Sequence, residues 1–432
     1  MRRAIEAYLH RLRSLDRDVR LFLLSSGTMG FTLLNGIFPV LFNLYLLRLG
    51  YGPEFIGSVN AAGLLAYSVF AFPAGMAARR WGARRAMAVG VALSMVCSGM
   101  LPLVEFLAPN WQEPWMLGNQ VLSTAGLALF FVNANPFMVD ATGAAERNHA
   151  FSMRMVIDTA SGMLGSLVGG ALPGFFSTSL GLALDGPATY RYALLIAAVL
   201  SLPAVIALLL IRERRVEPEE PRRTATRGAS AAPVAMLAAM ALVTLLRAAG
   251  VGTSRVFLNV YLDDGLGVST VQIGTLFAVV QLASVPAAMA MPLLAARSGL
   301  YRVVVWCSLG IAASMLPLAL VPHWAAATIG RIGTYSLSAI ADPALSVYQL
   351  ELVPQRWRSA MAGVASTALG VSWTALAFGG GFLIAGLGYR ALFLGAAGLT
   401  VAGTLVFAAL FRPGGRAAAR WLRPAEDAGE GA

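Results

Sequence analysis

The chain has 432 residues, of which 58% are hydrophobic and only 12% are charged. Soluble globular proteins carry roughly 25% charged residues, so this composition argues against a soluble fold. The net charge is +11, but the arginines lie between apolar runs instead of forming a solvated basic face, and we therefore do not expect nucleic-acid binding. Each membrane crossing needs about 20 apolar residues, so a chain of this length accommodates a dozen crossings with short loops.

Long uncharged runs, separated by arginines and acids, predict an all-α polytopic membrane protein with twelve transmembrane helices. The runs are rich in Ala, Leu and Gly, and they are too long for the strands of a membrane barrel, which have about 10 residues of alternating polarity. We number them spans 1 to 12. Their approximate limits are 21–47, 55–78, 86–104, 115–139, 153–175, 190–211, 234–262, 271–296, 303–321, 324–349, 359–386 and 390–411.

Arginine placement orients these spans. The termini and one set of loops contain most of the arginines, whereas the opposite loops contain only Arg48, Arg191 and Arg390. By the positive-inside rule, both termini lie in the cytoplasm, and we expect a multi-pass protein of the plasma (inner) membrane. Residues 1–20 place apolar side chains at helical spacing among arginines, which predicts an amphipathic segment on the anionic inner leaflet of the bilayer.

A polar segment divides the chain into two halves of six spans each. Residues 212–233 mix charged residues with Pro, Ser and Ala without periodicity. They predict a cytoplasmic linker between an N-terminal bundle at 21–211 and a C-terminal bundle at 234–411. Residues 412–432 are expected to form a cytoplasmic tail.

The two halves repeat each other in sequence and in the same order. Residues 43–46 (NLYL), at the end of span 1, recur as 259–262 (NVYL) at the end of span 7. Residues 100–103 (MLPL) in span 3 recur as 315–318 in span 9. Such an ordered series predicts a duplicated six-span unit whose two copies have the same orientation.

The loop between spans 2 and 3 carries a family motif. In the major facilitator superfamily this loop reads G-x-x-x-D-R-x-G-R-R, and in this chain residues 75–85 read GMAARRWGARR. The matching residues are Gly75, Arg80, Gly82, Arg84 and Arg85, and Arg79 occupies the acidic position. Together with the twelve spans and the duplication, the motif makes the chain resemble this superfamily over essentially its whole length.

The resemblance implies two parallel six-helix pseudo-repeats, secondary transport by alternating access, no enzymatic activity, and a central cavity lined by spans 1, 4, 7 and 10. It also implies that the loop acid latches the cytoplasmic side when that side is closed. With Arg79 at this position, either Arg79 contacts lipid phosphates and another acid acts as the latch, or the inward-open state is favoured. The span-4 arginine of proton-driven antiporters is also missing, and its nearest counterpart is Arg331 in span 10.

A charge inside a span costs about 2.5 to 3.5 kcal/mol on insertion scales and needs water, a partner or a function, and five candidates stand out. They are Asp158 in span 5, Arg247 and Arg255 in span 7, and Arg331 and Asp342 in span 10. If both acids are paired, one arginine remains for an anionic substrate group, a lipid phosphate or a helix C-terminus. We predict that Arg247 and Arg255 bind substrate. The alternative is an interhelical clamp to one of the acids Asp263, Asp264 and Asp342.

Asp342 precedes Pro343, and a proline inside a helix disrupts one turn and opens carbonyl groups to a cavity. A carboxyl group buried there either takes up a proton or neutralises an arginine. We predict that Asp342 couples or gates transport, together with Asp158 and with Arg331, which lies three turns away on the same face. For Asp158 the alternative is a structural bond to Arg154.

Polar residues in the spans that the resemblance assigns to the cavity complete the predicted pocket. They are Asn35 in span 1, Asn133 in span 4 and Tyr335 in span 10. Each of them alternatively forms an interhelical hydrogen bond. Glycine runs in spans 5 and 11 predict close helix packing, with a rocking interface as their functional extension.

We predict a secondary active transporter that exports an amphiphilic or anionic small organic solute, coupled to protons. The alternatives are uniport or uptake of an anionic metabolite, and a non-transporting sensor or lipid-handling protein of the same fold. No cofactor or metal is expected, because the three histidines are far apart and a P-loop needs a lysine, which the chain lacks. The expected partners are the small-molecule substrate, protons and the lipid bilayer, and the expected state is a monomer.

Overall fold

The computed structural model describes residues 16–212 and 234–412. Most of the predicted amphipathic segment 1–20, of the linker 212–233 and of the tail 412–432 lies outside these residues. The described residues form helices joined by short turns, and they include no β-strand. The predicted all-α polytopic fold is confirmed.

Ten helical stretches of the described chain are long and apolar enough to cross a membrane. Their bounds are Arg17–Arg48, Pro53–Trp81, Ala83–Phe106, Pro109–Ala141, His149–Leu180, Pro187–Leu210, Val234–Gly265, Thr270–Ser298, Leu300–Leu320 and Arg358–Leu410. The last stretch contains two spans, because Gly388 breaks it with a φ of 81°. Span 10 corresponds to the more polar helix Trp324–Glu351, which carries Arg331 and Asp342. These helices accommodate the twelve predicted spans.

Contacts between helices divide the described chain into two compact units. The first contains the described residues of Met1–Val216 together with Asn259–Leu282, and the second contains those of Glu217–Leu258 together with Ala283–Ala432. The end of span 7 and the first half of span 8 therefore pack with spans 1 to 6. We call Asn259–Leu282 the crossing segment, because by the sequence repeat it belongs to the second half of the chain.

Each unit has its own apolar core. Phe22, Met87 and Phe130 are fully buried in the first unit, and Met240 and Phe407 are fully buried in the second. Many other large apolar side chains remain exposed on the helix surfaces. Because lipid tails are as apolar as these side chains, helix association in a membrane rests on close packing and on interhelical hydrogen bonds.

Span 1 is interrupted near its middle. The helix Arg17–Met29 passes into a π-helical turn at Gly30–Leu34, and the backbone leaves helical geometry at Asn35 and Gly36 before the helix Ile37–Arg48 begins. Such interruptions are tolerated at membrane depth only where protein groups or water satisfy the freed backbone.

Neighbouring spans satisfy the backbone at this interruption. The carbonyl oxygen of Asn35 accepts hydrogen bonds from the Ser166 hydroxyl at 2.9 Å and from the Gln281 amide at 3.2 Å. Gly36 is required, because a Cβ atom there would overlap the carbonyl oxygen of Phe31. The interruption is therefore a built feature of the first unit.

Span 7 is interrupted at the equivalent position of the repeat. It consists of the helices Val234–Arg247 and Ala249–Val260, which are separated at Ala248. An offset of 216 residues relates Asn43 to Asn259. The same offset places the break at Ala248 opposite the π-helical turn of span 1, so the duplication includes the interruption.

Glycines of span 5 lie at close helix contacts within the first unit. A Cβ atom on Gly165 would overlap the carbonyl oxygen of Phe31, and one on Gly170 would lie 3.0 Å from the Cα atom of Gly274. In span 11, a Cβ atom on Gly379 would meet no atom of the described residues within 4 Å. A Cβ atom on the neighbouring Gly380 would lie 2.7 Å from Cε2 of Phe257. Both glycine runs therefore contain a position of close helix contact.

Candidate functional site

An arginine and an acid from different spans form an ion pair within the second unit. Arg247 ends the first segment of span 7, and its Nη2 atom donates to Oδ1 of Asp342 in span 10 at 2.6 Å. The Arg247 side chain is 6% exposed, whereas that of Asp342 is 51% exposed. The arginine is therefore enclosed by protein, and the carboxylate remains accessible. Pro343 follows the acid, so the pair lies at a helical turn that lacks one backbone donor.

Spans 11 and 12 stabilise the interruption next to Arg247. The Ser372 hydroxyl donates to the carbonyl oxygen of Leu245 at 2.6 Å, and the backbone N–H of Gly250 donates to the Thr400 hydroxyl at 3.0 Å. Both bonds join the interrupted span to a neighbouring helix. They fix the backbone on either side of Arg247.

Arg331 joins span 10 to span 7 as a buried clamp. Its Nη1 atom donates to the carbonyl oxygen and the hydroxyl of Ser254, and its Nη2 atom donates to the Tyr335 hydroxyl at 2.9 Å. The guanidinium also lies over the Tyr335 ring, 3.9 Å from the ring centroid. In this structure Arg331 and Tyr335 therefore act in an interhelical contact.

Arg255 is exposed, although it follows the buried Ser254. Its guanidinium stacks over the Trp373 ring, 5.3 Å from the centroid. Gly252 makes room for the indole, because a Cβ atom there would lie 2.6 Å from Cδ1 of Trp373. Within the described residues, Arg255 forms no ion pair and no hydrogen bond. Sequence reasoning missed Trp373, although an indole between two hydroxyl-bearing residues of an apolar span was an available signal.

Positive charge exceeds negative charge in spans 7 and 10 of the second unit. Three arginines lie there against two acids, Asp342 and the terminal Glu351, and Asp342 pairs with Arg247 alone among the arginines. Asp263, an alternative partner predicted for these arginines, instead lies in the crossing segment and binds Arg48 at 2.7 Å. Because charges are weakly screened away from bulk water, this excess raises the electrostatic potential around the exposed Arg255.

The two predicted asparagines occupy different environments in the first unit. Asn35 is exposed at the interruption of span 1. Asn133 is buried, and its amide donates to the carbonyl oxygens of Leu129 at 2.8 Å and Ala74 at 3.3 Å. Asn133 therefore joins spans 2 and 4 in this structure, whereas Asn35 is accessible to a solute.

Asp158 belongs to a polar cluster of the first unit. Its Oδ1 atom accepts a hydrogen bond from the Ser26 hydroxyl at 2.7 Å, and its Oδ2 atom lies 3.5 Å from Nε of Arg154. Arg154 also donates to Oδ1 of Asn135 at 2.9 Å and lies over the Phe22 ring. The arginine and the acid neutralise each other, which is the arrangement expected of a structural contact.

The loop motif between spans 2 and 3 contacts the end of span 6. The Nη1 atom of Arg84 donates to the carbonyl oxygen of Ile211 at 2.8 Å. This contact is favourable because the C-terminus of a helix carries partial negative charge. Gly82 turns the chain with a φ of 88°, and Arg79 and Arg80 have exposed side chains.

Duplicated membrane helices, two of them interrupted, with paired charges at one interruption, are typical of membrane transporters. The sequence model of the Major Facilitator Superfamily matches residues 21–240 and 240–431. The chain therefore belongs to the Major Facilitator Superfamily. It is a multi-pass secondary transporter and not an enzyme.

Solved structures share this fold at low sequence identity. A mutant of the nucleoside transporter NupG has a TM-score of 0.72 at 16% identity, over 92% of this chain and 100% of that chain. The D-xylose-proton symporter has a TM-score of 0.68 at 14% identity, over 90% and 95%. A POT family transporter in complex with a thioalcohol-conjugated peptide has a TM-score of 0.69 at 14% identity, over 92% and 98%. The comparison with curated proteins gives no significant match.

Proposed function

We propose that the protein transports an anionic organic solute and that protons travel with it. The observation that carries this proposal is Arg255, which is exposed on the face of Trp373 and has no ionic partner within the described residues. A cation in a membrane span needs a counter-charge, and the solute supplies it in this proposal.

The stacked geometry favours a planar oxyanion such as a carboxylate. A guanidinium that lies flat on an aromatic ring keeps its N–H donors at its edge, where they match two oxygen atoms at once. Arg331, bonded to the neighbouring Ser254, adds positive potential without competing for the anion. Asn35, which is exposed in the first unit, stays a predicted binding residue.

The Arg247–Asp342 pair supports a coupling mechanism. While Asp342 is ionised, it neutralises Arg247 at 2.6 Å. A proton on Asp342 removes that counter-charge, so Arg247 becomes a second binding group for the anion. Proton and anion then strengthen each other's binding, because the coupling free energy is reciprocal. Two ligands that favour each other in one occluded state are carried in the same direction, and this supports symport.

Export, the direction predicted from the sequence, requires the opposite sign of coupling. In that case a proton on Asp342 lowers the affinity for the solute. The geometry favours symport, so we propose uptake of an anionic metabolite as the primary direction and retain export as the competing prediction. We further propose a monomer of the inner membrane. We also propose that both termini lie in the cytoplasm, which the arginine asymmetry supports.

The experiment begins with a thermal-shift screen of carboxylates, phosphates and sulfonates on the purified full-length protein. The best ligand is then followed in proteoliposomes, with and without an inward proton gradient. We expect accumulation only with the gradient. Asp342→Asn should abolish this accumulation while it retains exchange of solute at equal pH.

A matched pair of arginine variants tests the anion contact. Arg255→Gln should weaken binding at least about tenfold, which corresponds to about 1.4 kcal/mol. Arg390→Gln removes the same charge from an exposed position and should leave binding unchanged. Unchanged affinity in Arg255→Gln refutes the anion site. Proton-driven export refutes symport in favour of antiport, gradient-independent flux indicates uniport, and binding without flux indicates a sensor.

A further inference from the structure

A bidentate ion pair joins the end of span 1 to the crossing segment. Nη1 and Nη2 of Arg48 donate to the two carboxylate oxygens of Asp263, each at 2.7 Å. The Arg48 side chain is 19% exposed and that of Asp263 is 7% exposed. Bidentate arginine–carboxylate pairs are among the strongest side-chain contacts, so this pair is a principal attachment of the crossing segment to span 1.

A second acid lies beside the same arginine. Asp185, in the loop between spans 5 and 6, has its Oδ1 atom 3.8 Å from Nη2 of Arg48, and its side chain is 91% exposed. Asp185 and Arg48 both belong to the first half of the chain, whereas Asp263 belongs to the crossing segment. Arg48 therefore has a close partner on the crossing segment and a more distant one on its own half.

The other bonds to the crossing segment at this end are also polar. The hydroxyl groups of Tyr190 and Thr270 lie 2.8 Å apart, and the Asn43 amide donates to Oδ1 of Asn259 at 3.2 Å. A cavity of about 520 Å³ adjoins them and is lined by Arg48, Asp185, Tyr190, Asp263 and Thr270, among others. Polar contacts beside a cavity are exchanged for water with little net change in free energy, unlike buried apolar packing.

Small residues form the contact between span 5 and the crossing segment. Gly170 of span 5 and Gly274 of the crossing segment approach backbone to backbone, and a Cβ atom on Gly274 would overlap the carbonyl oxygen of Ser166. Contacts between small residues present smooth surfaces, and they separate without unlocking interdigitated side chains. At the end beside Arg48, polar groups therefore form a large part of the attachment, and Gln281 adds a bond at the other end of the segment.

We propose that Arg48 is a gating residue that exchanges partners during transport. It binds Asp263 when the crossing segment packs on the first unit, and it binds Asp185 when the segment separates. The arginine then has a counter-ion in both states, and Asp263 passes into water. This exchange keeps the free energies of the two states close, as a carrier that alternates between them needs. The inference rests on the family's transport activity and not on the proposed anionic solute.

The test measures separation of the crossing segment directly and needs no substrate. The exposed Leu184 and Val271 both line the cavity, one beside Asp185 and the other in the crossing segment. Spin labels at Leu184→Cys and Val271→Cys, in a background with Cys97→Ala and Cys307→Ala, report the distance between them in lipid nanodiscs. The parent protein should give a predominantly short distance.

The two acids should act in opposite directions. Asp263→Asn should raise the ratio of long to short distances at least about tenfold. Asp185→Asn should lower that ratio. Glu113→Gln removes an exposed acid from another part of the first unit and should leave the distribution unchanged. The double exchange Arg48→Asp with Asp263→Arg should restore the short distance.

The proposal is wrong if Asp263→Asn leaves the distances unchanged, or if Asp185→Asn shifts them in the same direction as Asp263→Asn. A thermal melt of each variant identifies loss of fold, and Asp263→Glu provides a second, conservative variant. Asp263→Glu should give a ratio between those of the parent protein and Asp263→Asn, and a ratio outside that interval also contradicts the proposal. A failed anion-binding experiment with intact partner exchange would refute the proposed substrate and leave the gate standing.

Discussion

In span 4 Asn135 precedes Pro136, and in span 10 Asp342 precedes Pro343. Both residues accept a hydrogen bond from an arginine, but one is a neutral amide and the other is a carboxylate. In the first unit Asn135 accepts a hydrogen bond from Arg154 at 2.9 Å. In the second unit Asp342 accepts one from Arg247 at 2.6 Å. Arg154 takes its counter-charge from Asp158, one turn along its own helix. In the first unit the counter-charge therefore does not come from the residue before the proline.

The position of the acid decides what a proton can do. In the first unit the acid and the arginine share one helix, so their ion pair does not itself join two spans, although both residues also bond to Ser26 of span 1. In the second unit they lie on spans 10 and 7, so loss of the charge on Asp342 weakens a contact between helices. Comparison of these two sites therefore predicts that a proton on the acid weakens an interhelical ion pair at Asp342 but not at Asp158.

The largest expected effect separates the two arginines by their role in transport. Arg247→Gln should lower the initial rate of anion uptake into proteoliposomes at least about 100-fold, or about 2.7 kcal/mol, because it removes a binding group and leaves Asp342 without its partner. Arg154→Gln, assayed at equal amounts of folded protein, should keep the rate within about threefold. An equal loss in both variants would mean that the first unit carries the same function.

A smaller effect should appear in stability, where Arg154 is expected to matter more than Arg247. Arg154→Gln leaves the mostly buried Asp158 without its cation, and we expect a loss of about 1 to 3 kcal/mol. Thermal melts in detergent measure it. The double variant Arg154→Gln with Asp158→Asn should recover part of this loss, since it removes both charges, and purely additive losses would contradict the pairing.

Transplanting the acid should have a weaker effect still. Asn135→Asp places a second carboxylate beside Arg154, which then serves two acids, and we expect destabilisation of about 1 kcal/mol at neutral pH. Asn135→Ala is the control for loss of the amide. A clear gain in stability for Asn135→Asp would show that Asp158 does not already neutralise the arginine.

The smallest effect compares two arginines that each stack on an aromatic ring at a similar distance from the ring centroid. Arg154 lies 5.2 Å from the Phe22 centroid, and Arg255 lies 5.3 Å from that of Trp373. Trp373→Phe keeps an aromatic face but weakens the stack by about 0.5 to 1 kcal/mol, so solute affinity should fall about two- to fivefold. Phe22→Leu should lower the melting temperature without changing affinity, and an equal loss of affinity would remove the distinction.

Much of the fold was predictable because long apolar runs in a sequence identify membrane spans. The predicted limits 55–78 and 271–296 lie within three residues of the helices Pro53–Trp81 and Thr270–Ser298 at every end. The sequence repeat was also predictable, because equivalent positions of the two halves carry the same or similar residues. The interruptions of spans 1 and 7 were not predicted, because neither contains a proline at its break.

The candidate site was predictable as a set of charges but not as a set of pairs. Burial of a charge in a span is costly, so Arg247, Arg255 and Asp342 stood out from the sequence alone. Sequence spacing does not report distances between helices, so the choice of partner stayed open. The pairing of Arg48 with Asp263, 215 residues away, needed the structure, as did the stack of Arg255 on Trp373.

The interruption of span 1 at residues 30–36, which begins with the π-helical turn Gly30–Leu34, also sets the angular position of the helix Ile37–Arg48. A π-turn behaves as one residue inserted into an α-helix, and each residue of an α-helix turns the chain by about 100°. Deleting a single residue from this turn would swing the following half of the span by about that angle relative to the preceding half. Arg48 would then point away from Asp263, and Asn43 away from Asn259. One surplus residue in the middle of a helix thus determines whether two contacts at its far end exist.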